Sequence, residues 1–276
     1  MSYEAKIIAD SISETDDRLT TMEVTFPRMV LSEFNTHRAF SRNSASSRAI
    51  PLTKRIEQVR EDPFVPEYWG ENQSGMQAEQ ALGAKAANAA REEWMLALEN
   101  ALTTAEELDR LKVHKQLGNR VLEPFMWHTV IVTATEWSNF FALRANAMAQ
   151  PEIRTIAEMM LDQYKHSDPV FVADGEWHLP LIQPDELELV RAEPELMRRV
   201  SAARCARVSY MTHDRKRDLS ADETLYNRLV SGGHMSPLEH VATPTGNSDF
   251  VGNFRGWKQL RKFVPNEDDF SKVEKS

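Results

Sequence analysis

The residues best suited to chemistry lie together in Asn35-Thr-His-Arg-Ala-Phe-Ser-Arg-Asn-Ser-Ala-Ser-Ser-Arg48, a run almost without aliphatic side chains. Ser41, Asn43, Ser46 and Ser47 are short donors and acceptors, and they are interleaved with Arg38, Arg42 and Arg48, whose planar forks suit bidentate contact with a phosphate. An anion cradle fits this pattern, and so does a solvated polar turn; spacing alone leaves both open. Two other constellations are weaker. Cys205 is the only cysteine; it is flanked by Arg204 and Ala206 in a helical pattern, where a buried small residue is the usual fate of a thiol and a nucleophile the rarer one. His234, Glu239 and His240 have neither the HExxH spacing nor another common zinc pattern.

The chain that must position these residues has 276 of them, 41% hydrophobic and 27% charged, enough for a sizeable core. With 33 Lys and Arg against 42 Asp and Glu, its net charge of −9 has the wrong sign for general nucleic-acid binding by counterion release. No apolar run reaches the ~18 residues of a membrane helix. The opening Met1-Ser-Tyr-Glu-Ala-Lys also lacks the apolar core of a signal peptide, so the expected location is the cytoplasm. Among its 10 glycines neither GxGxxG nor GxxxxGK[ST] occurs, and a nucleotide must be held without a Rossmann fingerprint or P-loop. The six tryptophans read as core and interface anchors.

Short β-like runs occur at Ala5–Ile8, Met22–Phe26, His128–Thr133 and Val170–Val172. Ala78, Leu82, Ala86, Ala90, Trp94, Leu98 and Leu102 recur at steps of four and predict a helix of about seven turns. Arg28–Phe34 and roughly 194–208 also read as helical. Thr104-x-x-Glu107 and Ser220-x-x-Glu223 are capping-box patterns expected to start two further helices, and Pro124 is expected to stop the one carrying Arg120. The fold class is α+β, a small antiparallel or mixed sheet flanked by helices. One domain is expected over 1–264, followed by a polar tail over 265–276.

His37-Arg38-x-x-Ser41-x-Asn43-x-x-Ser46-x-Arg48 resembles the signature of the flavin-dependent thymidylate synthases, R-H-R-x-x-S-x-N-E-x-S-x-R. Further blocks agree. Asn139-Phe-Phe-Ala-Leu-Arg144 with Ala149-Gln150-x-Glu152-Ile153 is similar to the family's N-F-x-x-L-R…A-Q-x-E-I region, and Arg120 stands upstream in a matching N-R-x-x-x-P context. Ala206-Arg-Val-Ser-Tyr210 and Gly233-His-Met-Ser-Pro-Leu-Glu-His240 resemble its A-R-V-S and G-H-x-S/T-P-x-E-H segments. The matched blocks fall within 22–55, 115–165 and 200–262. Thr36 and Ser44 replace the signature's first arginine and its glutamate, and Ala49 a common tyrosine. Thr133, Thr135 and Met148 replace other common family residues. The family's usual order puts the last two segments first, so the resemblance implies a circular permutation, with Met22–Phe26 expected beside the segment that follows His240. Asn253-Phe-Arg-Gly-Trp-Lys-Gln-Leu-Arg261 resembles a second copy of the helix before the signature.

The resemblance implies transfer of a one-carbon unit from methylenetetrahydrofolate to C5 of dUMP, with FAD carrying a hydride supplied by NADPH. It implies Arg144 as the residue that stabilises the ionised uracil ring. Glu33, Ser46, Arg48 and Arg120 would hold the nucleotide together with Arg144, and His37, Arg38, Ser44, Asn139, Ser209 and Ser236 would face the flavin. No metal is called for. Asn139 and Arg144, five residues apart, project about 140° from each other on a helix, which suits a site shared between subunits, and the resemblance implies a homotetramer. A variant acting on another pyrimidine nucleotide, or leaving a 5-hydroxymethyl group, shares these features. A catalytically silent nucleotide-binding scaffold is the non-enzymatic alternative, against which the three arginines argue.

Overall fold

The computed structural model describes residues 2–46, 48–75, 77–207 and 217–265. Its first strands, β1 (Glu4–Ile12) and β2 (Arg18–Pro27), form an antiparallel hairpin. A 3₁₀ turn, Arg28–Val30, and the short helix α1 (Leu31–Asn35) lead into β3 (Ser41–Ser44). Three helices follow, α2 (Leu52–Glu61), α3 (Ala84–Arg110) and α4 (Lys115–Gly118), and a 3₁₀ segment, Asn119–Phe125, delivers the chain to β4 (Trp127–Ala134). Next come α5 (Ser138–Arg144), α6 (Pro151–His166) and β5 (Val170–Phe171), then α7 (Leu187–Ala192), α8 (Pro194–Arg207) and α9 (Leu219–Ser231). Four short strands close the fold, β6 (Ala242–Pro244), β7 (Phe250–Val251), β8 (Phe254–Arg255) and β9 (Trp257–Gln259). The main sheet has the order β3-β4-β2-β1-β5, antiparallel except where β5 joins β1. This is the mixed α+β class that the sequence predicts.

Alternation along the two central strands gives the sheet two unlike faces. Met22, Val24 and Phe26 of β2 and Val130, Val132 and Ala134 of β4 form the apolar one, packed against Phe140 and Phe141 of α5 and Ile153, Ile156 and Met160 of α6. The opposite face carries threonines. Register sets Thr21 against Thr133 and Thr25 against Thr129, and each pair shares a hydrogen bond, of 2.7 and 2.8 Å. A buried hydroxyl without a partner costs about 1–3 kcal/mol, so this face must be covered by polar groups. His178 and His240 supply them. Ser11 Oγ meets His178 Nδ1 at 2.7 Å, His178 Nε2 meets Thr21 Oγ1 at 2.7 Å, and Thr133 Oγ1 meets His240 Nδ1 at 2.8 Å, so that five side chains form one buried line. Leu19, Ala242, Phe254 and Trp257 complete the cover.

Several expectations change in three dimensions. The helix of about seven turns is there as α3, but it begins only after Gly83, which leaves Ala78 and Leu82 outside it, and its inward side runs through Trp94, Leu98, Ala101, Leu102 and Ala105. A strict four-residue step drifts about 40° per repeat and leaves one face within a few turns. Thr104 starts no helix; it lies within α3, its hydroxyl donating to the Asn100 carbonyl. Asp218 rather than Ser220 caps α9, accepting from Ala221 N–H. The signature run is not all surface turn, because Ser41–Ser44 pairs with Val130–Thr133 and Phe40 enters the core. Asn253–Arg261 forms strands and a 3₁₀ turn rather than a helix. The segment after His240 meets the start of β2, where Leu19 packs against Ala242, whereas Met22–Phe26 faces the helices. The tail beyond residue 265 lies outside the described residues.

Burial pushes both His178 and His240 down to about 3, with each other's proximity adding to the shift at His240. Below about pH 6.5 the unfolded chain therefore binds protons that the folded chain refuses. Stability is full above that pH and falls as pH drops toward 3, by up to about 1.4 kcal/mol per pH unit for each histidine. Urea unfolding at pH 7.5 and 5.5 should show a lower midpoint at the acidic value, and a flatter dependence in His240→Gln; identical midpoints would contradict the buried neutral line.

Candidate active site

Three distant parts of the chain meet at β3. The Ser41 hydroxyl oxygen accepts from Gln259 Nε2 (2.8 Å) and Asn253 Nδ2 (3.1 Å). Asn43 Nδ2 donates to the Cys205 carbonyl (2.8 Å), and the Ser236 hydroxyl donates to Asn43 Oδ1 (3.3 Å). The signature strand is thus gripped on its free edge by α8, by the 3₁₀ turn Ser236–Glu239 and by β9. Gln259 and Asn253 are not among the site residues that the sequence points to; they belong to the segment that there resembles a second copy of a helix.

Arg144 ends α5 and reaches the signature. Its Nε–H donates to His37 Nε2 at 3.0 Å and an Nη2–H to the Thr36 hydroxyl at 3.3 Å. Since a guanidinium only donates, His37 Nε2 must carry the lone pair and its proton sits on Nδ1. Burial, then Arg144 and Arg42, hold His37 at about 4, so the imidazole is neutral near pH 7 and the positive charge stays on Arg144. Phe140, edge-on to the His37 ring at 4.9 Å, fixes the ring plane. His37, expected at the flavin, meets Arg144 through Nε2, and Thr36, a departure from the signature, is one of the two groups that orient the guanidinium.

The other expected residues lie on several elements, two of which are tied together. Asn119 Nδ2 donates to the Ile50 carbonyl at 3.0 Å, which ties the loop carrying Ser46 and Arg48 to the 3₁₀ segment carrying Arg120. Arg48 is exposed, its backbone N–H donating to Ser46 Oγ, while Arg120 pairs with Glu123 at 2.8 Å. Glu33 lies on α1 and accepts from the Ser32 hydroxyl. Ser44 ends β3, half-buried, and Asn139 is exposed on α5. Ser209 lies outside the described residues. Of the alternatives, Cys205 is buried, and its thiol is pushed far up by desolvation and by Glu23, which does not suit a nucleophile. Glu239 pairs with Arg261, and His240 Nδ1 is taken by Thr133.

Arg38 and Arg42 provide the test of fit to the cofactor. Arg42 is half-buried, and its guanidinium is held down by burial and by Arg38, only partly offset by Glu239. Its hydrogen bonds to the Phe34 and His37 carbonyls are long, at 3.4 and 3.5 Å. Two adjacent cations with so little compensation among the described residues are a donor set suited to a polyanionic diphosphate.

The mixed sheet thus places a polar edge strand carrying Arg42 near a guanidinium, Arg144, that Thr36 and His37 hold in place. The chain belongs to the Thy1 family, the thymidylate synthase complementing proteins, whose profile matches residues 18–170, more than half of its length. With membership comes the coarse chemistry of a nucleotide methyltransferase. The segments resembling A-R-V-S and G-H-x-S-P-x-E-H lie beyond the matched range; the second reaches the signature through Ser236, and of the first only Ala206 and Arg207 are among the described residues. No curated protein is similar enough to match. Among solved structures, the chain is similar to the UMP/dUMP methylase PolB from Streptomyces cacaoi bound with 5-Br UMP, at 15% identity over 59% of this chain and 88% of that one, with a TM-score of 0.49. The same enzyme bound with 5-Br dUMP gives 15% identity, 59% and 90% coverage and a TM-score of 0.48. That likeness is too slight to carry chemistry across.

Replacing Arg144 by Met is expected to raise the His37 pKa from about 4 toward its ordinary value without reaching it, because the burial remains. The pH dependence of the His37 C2–H resonance reports this directly, and an unmoved titration would show that the two side chains do not meet.

Proposed function

We propose that the protein methylates dUMP reductively to dTMP, with methylenetetrahydrofolate as one-carbon donor and NADPH as reductant. The supporting observation is the contact between Arg144 and His37, which brings two matched motif blocks, 107 residues apart in sequence, to one point.

Arg144 holds the nucleotide base. A guanidinium already oriented by Thr36 and by a neutral imidazole can stabilise negative charge developing on a uracil ring without giving up its own proton, and it needs no reorganisation as the charge forms. Arg48 and Arg120, brought into one neighbourhood by the Asn119–Ile50 tie, take the phosphate, with Ser46 and Glu33 contributing polar contacts. Arg38, Arg42, His37, Ser44, Asn139, Ser209 and Ser236 are the residues that would hold FAD, which when bound supplies hydride chemistry no side chain of this protein can perform. The site is completed between copies in a homotetramer. In support, Leu143 and Met148, which flank Arg144, are 54% and 58% exposed, an apolar margin that suits a subunit seam.

The test is incubation with dUMP or UMP, methylenetetrahydrofolate, NADPH and FAD, followed by the product mass. A methylated dUMP supports the proposal, a hydroxymethylated one the variant chemistry, and no product the silent scaffold. Arg144→Ala should lose more than about 100-fold in turnover with its circular dichroism unchanged. Arg48→Ala should weaken nucleotide binding by about 10- to 150-fold, the equivalent of about 1.5–3 kcal/mol for one charge-assisted contact; an unaltered nucleotide Kd in that variant would remove Arg48 from the phosphate site.

A further inference from the structure

Arg38 sits at the centre of a tight turn. Phe40 N–H closes this turn on the His37 carbonyl at 3.3 Å, and the chain then enters β3 at Ser41. Arg38 is exposed, Arg42 follows on the strand half-buried, and the charge of the first opposes that of the second. Repulsion between neighbouring cations favours opening such a turn, so other contacts must hold it shut.

Asn253 supplies them from a distant part of the chain. Its amide Nδ2 donates to the Ala39 carbonyl at 3.0 Å and to the Ser41 hydroxyl oxygen at 3.1 Å, one hydrogen on the turn and one on the strand. A carbonyl only accepts, which fixes the orientation of the amide, and the other end is held by Gln259, whose Nε2 donates to Asn253 Oδ1 at 3.2 Å. The hairpin of β7 and β8 delivers Asn253 to this point. Register pairs Phe250 with Arg255 and Val251 with Phe254, which leaves Gly252 and Asn253 as a two-residue loop, and Gly252 has the φ of +69° that the first position of a type II′ turn requires. The hairpin has its own anchors: Phe254 is buried with Leu19 and Trp257, and Arg255 N–H donates to the Thr135 hydroxyl at 3.1 Å.

We propose that Asn253 is a positioning residue for a diphosphate bound by Arg38 and Arg42: by tying the turn to the strand it keeps the two guanidiniums together before the anion arrives. The repulsion between them is then overcome by folding rather than by binding, and affinity gains accordingly. This inference rests on the assignment of that arginine pair to the flavin's diphosphate.

The experiment titrates the wild type, Asn253→Ser, Arg38→Gln and the double variant with FAD and, separately, with inorganic pyrophosphate, followed by calorimetry. Serine suits the second position of such a turn but is too short to reach both acceptors. Asn253→Ser is expected to weaken pyrophosphate binding by about 10-fold, Arg38→Gln by at least as much, and the double variant no further than Arg38→Gln alone, because the two residues act as one unit. Asn253→Ala, the same truncation without a hydroxyl, should match Asn253→Ser. Losses that simply add, as a loosening unrelated to Arg38 would give, overturn the proposal, and so does unchanged affinity in Asn253→Ser. Should pyrophosphate bind with the expected pattern and FAD not bind, the flavin assignment fails and the positioning role stands; should FAD bind wild type and Asn253→Ser equally, the reverse holds. A wild type that binds neither overturns both.

Discussion

A sheet face made of threonines can be buried only if every hydroxyl is answered, and this requirement organises the molecule. In the central strands the apolar side chains fall on one face and Thr21, Thr25, Thr129 and Thr133 on the other. Helices satisfy the first face by shape. The second needs hydrogen-bonding partners that water cannot supply, and His178 and His240, brought from far along the chain, provide them in the line from Ser11 to His240. Neutral imidazoles suit the position: His178 can donate from one ring nitrogen and accept at the other, joining Ser11 to Thr21, and His240 closes the row through Nδ1.

The candidate site inherits its geometry from that cover. The segments that bury the threonine face also hold the signature strand, so Ser41 and Asn43 are fixed by Gln259, Asn253, Ser236 and the Cys205 carbonyl rather than left as a loop. On the opposite side, α5 is anchored by Phe140 and Phe141 in the apolar core, which places Arg144 against Thr36 and His37. Arg38, Arg42 and Arg144 consequently stand close to a histidine that stays neutral. Positive charge is concentrated there, even though the chain as a whole carries −9.

The sequence disclosed the strands well because their alternation is local. Met22–Phe26 and His128–Thr133 have the two-residue period of a sheet, and both are strands. Helix limits were less legible. Thr104-x-x-Glu107 has the letters of a capping box, but a threonine inside a helix can return its hydroxyl to the carbonyl four residues back, and Thr104 does. The polarity of Asn35–Arg48 hid a strand, because an edge strand paired on one side tolerates the same residues as a turn.

By itself, the sequence determined the residue types and spacings that mark a nucleotide-handling signature, and with them the family. These are properties of neighbours along the chain. Only the tertiary structure decided that His37 faces Arg144, that Thr36 helps to orient the guanidinium, and that Arg55 is buried. Each of those facts depends on desolvation and on contacts between segments far apart in sequence, and no local pattern encodes how much water a side chain will lose when the chain closes around it.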